Sequence, residues 1–432
     1  LLFRLKYNME KMSLTLGPLA SLRHGGDISQ YIEEENNVSQ NCFDDNTIEV
    51  NIGIKNKNRV DEILIELDID VKKIPFVLSD RDKNKWDRIY NTSNTPEKSE
   101  NISYCMRAFD HLQLMDNGNI LPCCPPWINH YSIGNINEQS YEEIWNGEKA
   151  QDFRRSILDG SYKFCNENSC PHLRTKTGPL NDNNWSENIQ NDIANKKVVL
   201  DHGPEEIQFC YDRSCNLSCP SCRDDVIMVD KKTRAIYLKM QEQLQSSFLK
   251  DAKTLVITGS GDAFASPVFR QFLQTLEKHQ APNIDCIVIL TNGLLVKKYW
   301  HTLSDYTKEK IKVISVSIDA ATKGTYLINR RGGSWELLHE NLKFIQNLDN
   351  VKLYTSMVVQ DNNFKEIIPF VEMSKKYNTR HVQLQIIEPD FHHGKPNYIE
   401  NWLQKAVHER VHRNHAELLK VIKDPYFDEY LN

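Results

Sequence analysis

The segment Ile207-Gln-Phe-Cys-Tyr211, followed closely by Cys215-Asn-Leu-Ser-Cys219-Pro-Ser-Cys222, decides how the rest of the chain is interpreted. The first five residues predict a short β-strand, and the loop after it carries three cysteines. Three thiolates this close together can hold three corners of a cubane iron–sulfur cluster, because such clusters are built on cysteine ligands. The fourth iron would then stay open for a ligand, as a catalytic zinc ion keeps one position free. A structural zinc site with a distant fourth ligand is the alternative that spacing alone leaves open.

Strands and helices alternate regularly after this loop. Strands are predicted at 207–211, 254–258, 285–291, 311–318, 352–359 and 381–387, with helical stretches between them. Such alternation predicts a parallel sheet in an α/β fold. The active sites of these sheets lie at the carboxyl ends of the strands. The cysteine loop, the segment Gly259–Asp262, Asn292 and Asp319 each follow a strand, so we expect them to meet at one edge of the sheet.

The cysteine triplet resembles the C-x3-C-x2-C signature of radical SAM enzymes, whose cluster binds S-adenosylmethionine at its open iron. Four later segments are similar to that family and occur in the right order: Thr258–Asp262, Leu290–Gly293, Ser315–Asp319 and Asn329–Gly333. One position departs from the pattern, since many members carry an aromatic residue where this chain has Ser221. The resemblance implies that the sheet curls into a partial (β/α)6 barrel and that Cys215, Cys219 and Cys222 hold the catalytic [4Fe-4S] cluster.

The resemblance also implies which residues bind S-adenosylmethionine. The stretch Gly259-Ser260-Gly261-Asp262 is similar to the family's Gly-Gly-Glu stretch, which receives the amino group of the ligand. A carboxylate at Asp262 suits an ammonium group, and Gly261 lets the backbone approach closely. A solvated turn is the alternative for this stretch, and structural polar roles are the alternative for the residues that follow. By similarity, Asn292 and Ser317 are expected to contact the ribose or carboxylate, and Arg331 to pair with the carboxylate.

A second group of cysteines lies upstream, between residues 105 and 170. A turn at Asp116–Asn119 predicts a hairpin, and Ser140 with Glu143 predicts a helix that begins with a capping box. The chain has eleven cysteines in total. Because it is long and carries no recognisable secretion signal, clustered cysteines favour metal binding over disulfides.

This block resembles the SPASM or twitch domain of radical SAM enzymes, including the Gly118-x4-Cys123 spacing and the stretch Gly134-Asn-Ile136. That domain binds an auxiliary iron–sulfur cluster, but it usually follows the barrel, whereas here it precedes it. A zinc site with the same thiolates is the alternative, since an all-cysteine site suits either metal. The ligands implied are Cys105, Cys123, Cys165 and Cys170, with Cys124 as the spare.

Composition sets further limits on the function. The chain has 432 residues, 40% hydrophobic content and a net charge of −6. These values predict two or three packed domains and argue against a generally basic nucleic-acid binder. No apolar run approaches a membrane span, and charged residues interrupt Leu1–Leu22, so no signal peptide is predicted. A cytoplasmic location without membrane contact is expected.

Five regions are predicted from these patterns. The first, of unassigned role, contains strand-like or helix-like runs at 47–54, 60–67 and 74–78. The regions are an N-terminal α/β segment at 1–100, a SPASM-like auxiliary domain at 101–178, a linker at 179–205, the partial barrel at 206–390 and a C-terminal helical extension at 391–432.

A competing motif lies near the end of the chain. His408-Glu-Arg-Val-His412 spells H-E-x-x-H, the helical zinc-protease signature. The metzincin continuation fails, because His415 stands where a glycine is required and Leu418 where the third histidine is required. We interpret the match as chance on a solvated, charged helix. A zinc hydrolase using His408 and His412 remains an alternative function.

Together these resemblances imply a radical enzyme that cleaves S-adenosylmethionine reductively to a 5'-deoxyadenosyl radical. That radical is expected to abstract hydrogen from a peptide or small-molecule substrate. The resemblance implies a flavodoxin- or ferredoxin-type reductant, while nucleic acid is not an expected partner. A zinc-binding structural or nucleic-acid-interacting protein, using both cysteine groups, is the alternative from another class.

Overall fold

The computed structural model describes residues 13–15, 104–167, 170, 172–173, 186–387, 402–408 and 412–428. The elements predicted at 47–54, 60–67 and 74–78 lie outside these residues. Within them the chain forms a mixed α/β structure on one ten-stranded sheet. Its strands are β1 Ser13–Thr15, β2 His111–Met115, β3 Asn119–Leu121, β4 Gly134–Asn135, β5 Glu206–Cys210, β6 Thr254–Ile257, β7 Cys286–Thr291, β8 Ile311–Ser317, β9 Lys352–Val359 and β10 His381–Ile386.

The strand order is β1-β10-β9-β8-β7-β6-β5-β2-β3-β4. Strands β5 to β10 are parallel and lie in chain order, each beside the next. The six predicted strands are therefore confirmed, with ends that differ by at most one residue. Runs of valine, isoleucine and leucine explain this accuracy, because parallel strands are covered on both faces and read as continuous apolar segments.

Helices connect most of these strands. Most begin at a serine, threonine or aspartate whose side chain accepts a backbone N–H in the first turn. The helices are α1 Arg107–Asp110, α2 Tyr141–Trp145, α3 Glu148–Leu158, α4 Glu187–Ala194, α5 Lys231–Gln243, α6 Pro267–Thr275, α7 Val296–Trp300, α8 Asp305–Lys310, α9 Lys323–Asn329, α10 Trp335–Ile345, α11 Ile367–Lys376, α12 Trp402–Lys405 and α13 His415–Ile422.

The upstream hairpin joins the same sheet. Strand β2 pairs in parallel with β5, from His111 opposite Glu206 to Met115 opposite Cys210. The hairpin turn is confirmed, with Gly118 at φ +85° between β2 and β3. The capping box of Ser140 and Glu143 at the start of α2 is also confirmed. The pairing of β2 with β5 joins the auxiliary block directly to the first strand of the predicted barrel.

Residues 179–205, predicted as a polar linker, contain a helix. Ser186 caps α4 by accepting the N–H of Ile189, and both Ile189 and Ile193 are buried. This helix was not predicted from the sequence. Two apolar side chains one turn apart were enough to anchor a short helix, although its other residues are mostly polar.

Most apolar side chains pack on one face of the sheet against the helices. Leu255 and Ile257 of β6 belong to this large cluster, whereas Val256 between them does not. Val256 packs instead with Val288 and Val313 in a small second cluster. Because successive strand residues point to opposite faces, the second cluster marks the face away from the main core.

Candidate active site and metal centres

The cysteine loop leaves the carboxyl end of β5 and folds back on itself. The N–H of Cys215 donates to Ile227 O at 2.8 Å, and the N–H of Cys222 donates to Cys219 O at 2.8 Å. Cys215 and Cys219 are buried, while Cys222 is partly exposed. The loop is thus held by its own backbone, with one thiol of the triplet nearest to solvent.

Each of the three thiols faces a nitrogen donor from a different side chain. Asn292 Nδ2 lies 3.9 Å from Cys215 Sγ, and Arg330 Nη1 lies 3.9 Å from Cys219 Sγ. Arg223 Nε and Nη2 both lie 3.5 Å from Cys222 Sγ. Hydrogen-bond donors that face cysteine sulfur tune the reduction potential of iron–sulfur clusters. The residues present therefore fit a cluster held by these thiolates.

Two of these donors are cationic and are themselves fixed. Arg330 pairs with the buried Asp319 at 2.8 Å, and Arg223 donates to the carbonyl oxygens of Arg213 and Ser260. Burial lowers the pKa of Arg330, but Asp319 and the Cys219 thiol outweigh it, so the net shift is upward. The guanidinium groups thus supply positive charge beside the cysteine thiols, which must lose their protons to bind metal.

Burial disfavours the deprotonated form of the free thiols. It raises the pKa of Cys215 to about 11, with Asp262 adding to the rise. It also raises the pKa of Cys219, although Arg330 partly offsets the shift. In the metal-free chain these two thiols therefore hold their protons at neutral pH, and loading a metal would release them.

Asp262 ties two strand ends together inside the protein. It is 1% exposed, and its Oδ1 accepts the N–H groups of Phe264 and Ala265. Its Oδ2 accepts from Thr291 Oγ1 at 2.8 Å and from the N–H of Asn292 at 2.7 Å. The carboxylate is thus surrounded by four internal donors, whereas the adjacent residues 259–261 are more accessible.

Gly261 allows two backbone segments to touch. A Cβ at this position would lie 2.6 Å from Ser214 O and 2.7 Å from Asp212 O. A Cβ on Gly259 would lie 2.9 Å from Cys210 Sγ. The group that Gly261 admits is the chain's own backbone just before Cys215, and the close approach to a ligand expected for Gly261 stays a prediction.

The other predicted ligand contacts lie around the same strand ends. Asn292 is buried, and its Nδ2 donates to Asn216 Oδ1 at 2.9 Å within the cysteine loop. Ser317 accepts from Ser356 Oγ at 3.2 Å. Arg331 is exposed and donates to Ser218 Oγ at 3.0 Å, so its guanidinium lies against the cysteine loop.

The sequence interpretation missed Arg223 and Arg330, the two arginines nearest the thiols. Arg330 directly precedes Arg331, and only the pairing with Asp319 distinguishes them. Asp319 follows β8 with φ +60°, an uncommon conformation for a residue other than glycine. A carboxylate at a strand end followed by two arginines was the available signal, but it did not say which arginine turns inward.

The upstream cysteines line a pocket of their own. Cys105, Cys123, Cys165 and Cys170 line this pocket together with Arg107 and apolar side chains. The four cysteines predicted as auxiliary ligands are therefore brought together. Within the described residues, Arg107 has two buried guanidinium nitrogens, Nε and Nη1, without a hydrogen-bond partner. A thiolate-held, negatively charged group would fit both features.

Cys124, predicted as the spare ligand, is buried beside Cys123 but does not line the pocket. A hydrogen bond between the two thiols raises the pKa of Cys123 and lowers that of Cys124 to about 7. Burial raises the pKa of Cys105 to about 12. Thus four of the five upstream cysteines share one pocket, and Cys124 lies outside its lining.

The two zinc alternatives depend on side chains that converge on one ion, since zinc binds cysteine sulfur at about 2.3 Å. Across the described ranges, no group of three or more His, Cys, Asp and Glu side chains converges in this way. His408 and His412 are 1% and 8% exposed, so a solvated helix was the wrong expectation for them. His412 Nε2 lies 2.8 Å from Gln404 O, and the nearby α13 starts only at His415. Both zinc alternatives stay predictions that metal analysis can decide.

None of the helices in the described ranges is long and apolar enough to cross a membrane.

Residues 105–171 match the SPASM family model, described as an iron–sulfur cluster-binding domain. GTP 3',8-cyclase from Staphylococcus aureus is 28% identical over 185 residues, which cover 40% of this chain and 51% of the cyclase. The chain thus spans about half the length of the curated relatives it matches.

Two solved structures show a looser likeness. The enzyme anSMEcpe, with bound AdoMet and a Kp18Cys peptide, is 20% identical over 45% of this chain and 54% of its own, at a TM-score of 0.32. Streptococcus suis SuiB, bound to its precursor peptide SuiA, is 15% identical over 64% of this chain and 62% of its own, at a TM-score of 0.33. Superpositions this loose carry no conclusion by themselves.

The family match covers the segment that delivers the four pocket cysteines, and the cyclase likeness covers a further part of the chain. The family match supports an iron–sulfur cluster as a cofactor. At the level of family, the comparisons show an iron–sulfur cluster-binding domain at residues 105–171.

Proposed function

We propose that the chain is a radical SAM enzyme whose catalytic [4Fe-4S] cluster is held by Cys215, Cys219 and Cys222. The observation that carries the proposal is the set of three side-chain donors, Asn292, Arg330 and Arg223, each facing one thiol of the triplet. When bound, the cluster supplies the electron that cleaves S-adenosylmethionine to methionine and a 5'-deoxyadenosyl radical, which abstracts hydrogen from the substrate.

The chain's own residues bind and orient the ligand in this proposal. The backbone of Gly259, Ser260 and Gly261 lines the accessible side of the strand end and receives the ammonium group. Asp262 acts as a positioning residue, because its four hydrogen bonds fix that backbone to the end of β7. Asn292 and Ser317 contact the ribose or carboxylate.

Arg331 has two roles in the proposal. Its contact with Ser218 braces the cysteine loop, and its exposed position leaves it beside the mouth of the site, where it pairs with the ligand carboxylate. Arg223 links Cys222 to Ser260 O, so it connects the cluster loop with the ligand-binding backbone.

An auxiliary [4Fe-4S] cluster completes the proposal. Cys105, Cys123, Cys165 and Cys170 hold it, with Cys124 adjacent, and the pairing of β2 with β5 fixes its position relative to the catalytic strand. We further propose that strands β5 to β10 curl into the partial barrel. In this proposal the protein acts in the cytoplasm, where a flavodoxin- or ferredoxin-type protein delivers the electrons. The proposed substrate is a peptide or a small molecule. The region boundaries predicted from the sequence at 1–100, 101–178, 206–390 and 391–432 belong to the same proposal.

The test is anaerobic reconstitution with iron and sulfide, followed by iron counting and an assay for 5'-deoxyadenosine under dithionite. The chain is expected to take up about eight irons, as two cubane clusters require. The triple variant Cys215/Cys219/Cys222→Ala should retain about four irons and form no 5'-deoxyadenosine.

Cys286→Ala is the matched control, because Cys286 starts β7 at the opposite end of the strand from the ligand-binding residues. It should keep full iron content and nucleoside formation. If the parent protein and the Cys286→Ala control both contained zinc in place of iron and formed no 5'-deoxyadenosine, the proposal would be refuted and a structural zinc protein favoured.

A further inference from the structure

Arg107 lies where the auxiliary pocket meets the catalytic sheet. It opens α1 two residues after Cys105, and its side chain lines the pocket together with the four cysteines. The side chain is 13% exposed. An arginine remains charged even when it is this buried.

The guanidinium is poorly satisfied by the protein. Within the described residues, its Nε and Nη1 are buried without a hydrogen-bond partner. Its Nη2 lies 3.7 Å from Glu206 Oε1, an ionic contact that is too long for a good hydrogen bond. A buried cation with unused donors is costly unless an anion occupies the space that the donors face.

Glu206 shares its charge with a second partner. Its Oε1 lies 2.8 Å from His111 Nδ1, directly across the β2–β5 pair. Burial lowers the pKa of His111 to about 4, so this histidine is neutral at pH 7. At neutral pH the charges in this group are therefore one positive charge on Arg107 and one negative charge on Glu206.

We propose that Arg107 is a positioning residue of the auxiliary cluster, with Nε and Nη1 donating to its sulfur atoms and its charge raising the reduction potential. Glu206 opposes this effect from the first strand of the catalytic sheet. Hydrogen bonds to sulfur and nearby charge are two of the factors that set such potentials. The inference rests on the proposed iron–sulfur function.

The experiment is an anaerobic redox titration, followed by electron paramagnetic resonance, in the Cys215/Cys219/Cys222→Ala background, so that only the auxiliary cluster reports. Arg107→Met should lower the midpoint potential and Glu206→Gln should raise it. The combined variant should return close to the parent value, since the two charge changes compensate. Arg155→Met, an exposed arginine paired with Asp152 on α3, should leave the potential unchanged.

A merely structural role would not produce opposite shifts from two partners of one ion pair. A potential in Arg107→Met equal to or above that of the parent, or equal signs for both variants, would overturn the inference. If Arg107→Met fails to bind iron, Arg107→Lys and Glu206→Gln decide the same question. Loss of iron from the parent itself would refute the auxiliary cluster and this inference together, whereas an iron-loaded parent with unmoved potentials would refute the inference alone.

Discussion

Replacing Asp262 separates a role in ligand binding from a role in holding the strand ends. Its carboxylate accepts four hydrogen bonds and is 1% exposed. In Asp262→Asn, the amide oxygen can still accept from Phe264 and Ala265. The amide NH2 would then face the N–H of Asn292, 2.7 Å from the original oxygen, so two donors would confront each other.

The expected change in the free energy of unfolding follows from the number of buried donors that lose their acceptor. A buried donor without an acceptor costs about 1–3 kcal/mol, and the lost charge weakens the remaining bonds. We expect Asp262→Asn to lower the free energy of unfolding by about 2–3 kcal/mol and Asp262→Ala, which strands all four donors, by about 4 kcal/mol.

The assay is anaerobic urea unfolding of the metal-free protein, with S-adenosylmethionine affinity measured separately on the reconstituted protein. Asp201→Asn is the control, because Asp201 is exposed and paired with the partly exposed Lys197, and it should change stability by less than about 0.5 kcal/mol. Wild-type stability in Asp262→Asn, combined with a large loss of ligand affinity, would refute the positioning role and favour direct contact with the ligand.

Three further predictions concern Arg330, His381 and Gly261. Arg330→Leu should destabilise the metal-free protein by about 3–5 kcal/mol, because Asp319 would be left buried without its ion-pair partner. Unfolding midpoints measure this loss, and a change below about 1 kcal/mol would contradict the prediction. Burial lowers the pKa of His381 to about 4, so the folded state resists protonation, and stability should fall by about 2 kcal/mol as the pH drops from 7 to 5. His381→Phe should remove that share of the pH dependence, and an unchanged pH profile would show that another group carries it. Gly261→Ala should abolish 5'-deoxyadenosine formation, because its Cβ meets two backbone carbonyl oxygens just before the cysteine loop, whereas Gly324→Ala, which faces open space, should remain active.

Local patterns in the sequence were sufficient for the individual elements. Six strands, the hairpin turn at Gly118 and the capping box at Ser140 were all predicted, because each depends on residues a few positions apart. The helix at Glu187–Ala194 was missed, since only two buried isoleucines mark it in a polar stretch.

The cysteine positions also suggested the candidate metal ligands. Their spacing predicted both groups, and Cys105, Cys123, Cys165 and Cys170 do share one pocket. Sequence alone could not show that Asp262 is enclosed by four donors, because two of them, Thr291 and Asn292, lie 29 and 30 positions away at the end of the next strand.

The sequence by itself thus determined the strands, the turn chemistry and which cysteines are grouped. Only the tertiary structure decided that β2 pairs with β5, that Arg330 rather than Arg331 turns toward a thiol, and that Arg107 faces the auxiliary pocket. The physical reason is the distance along the sequence over which each kind of interaction acts. Propensity, caps and spacing act over a few residues, whereas strand pairing, burial and charge partners depend on segments that meet only after the chain has folded.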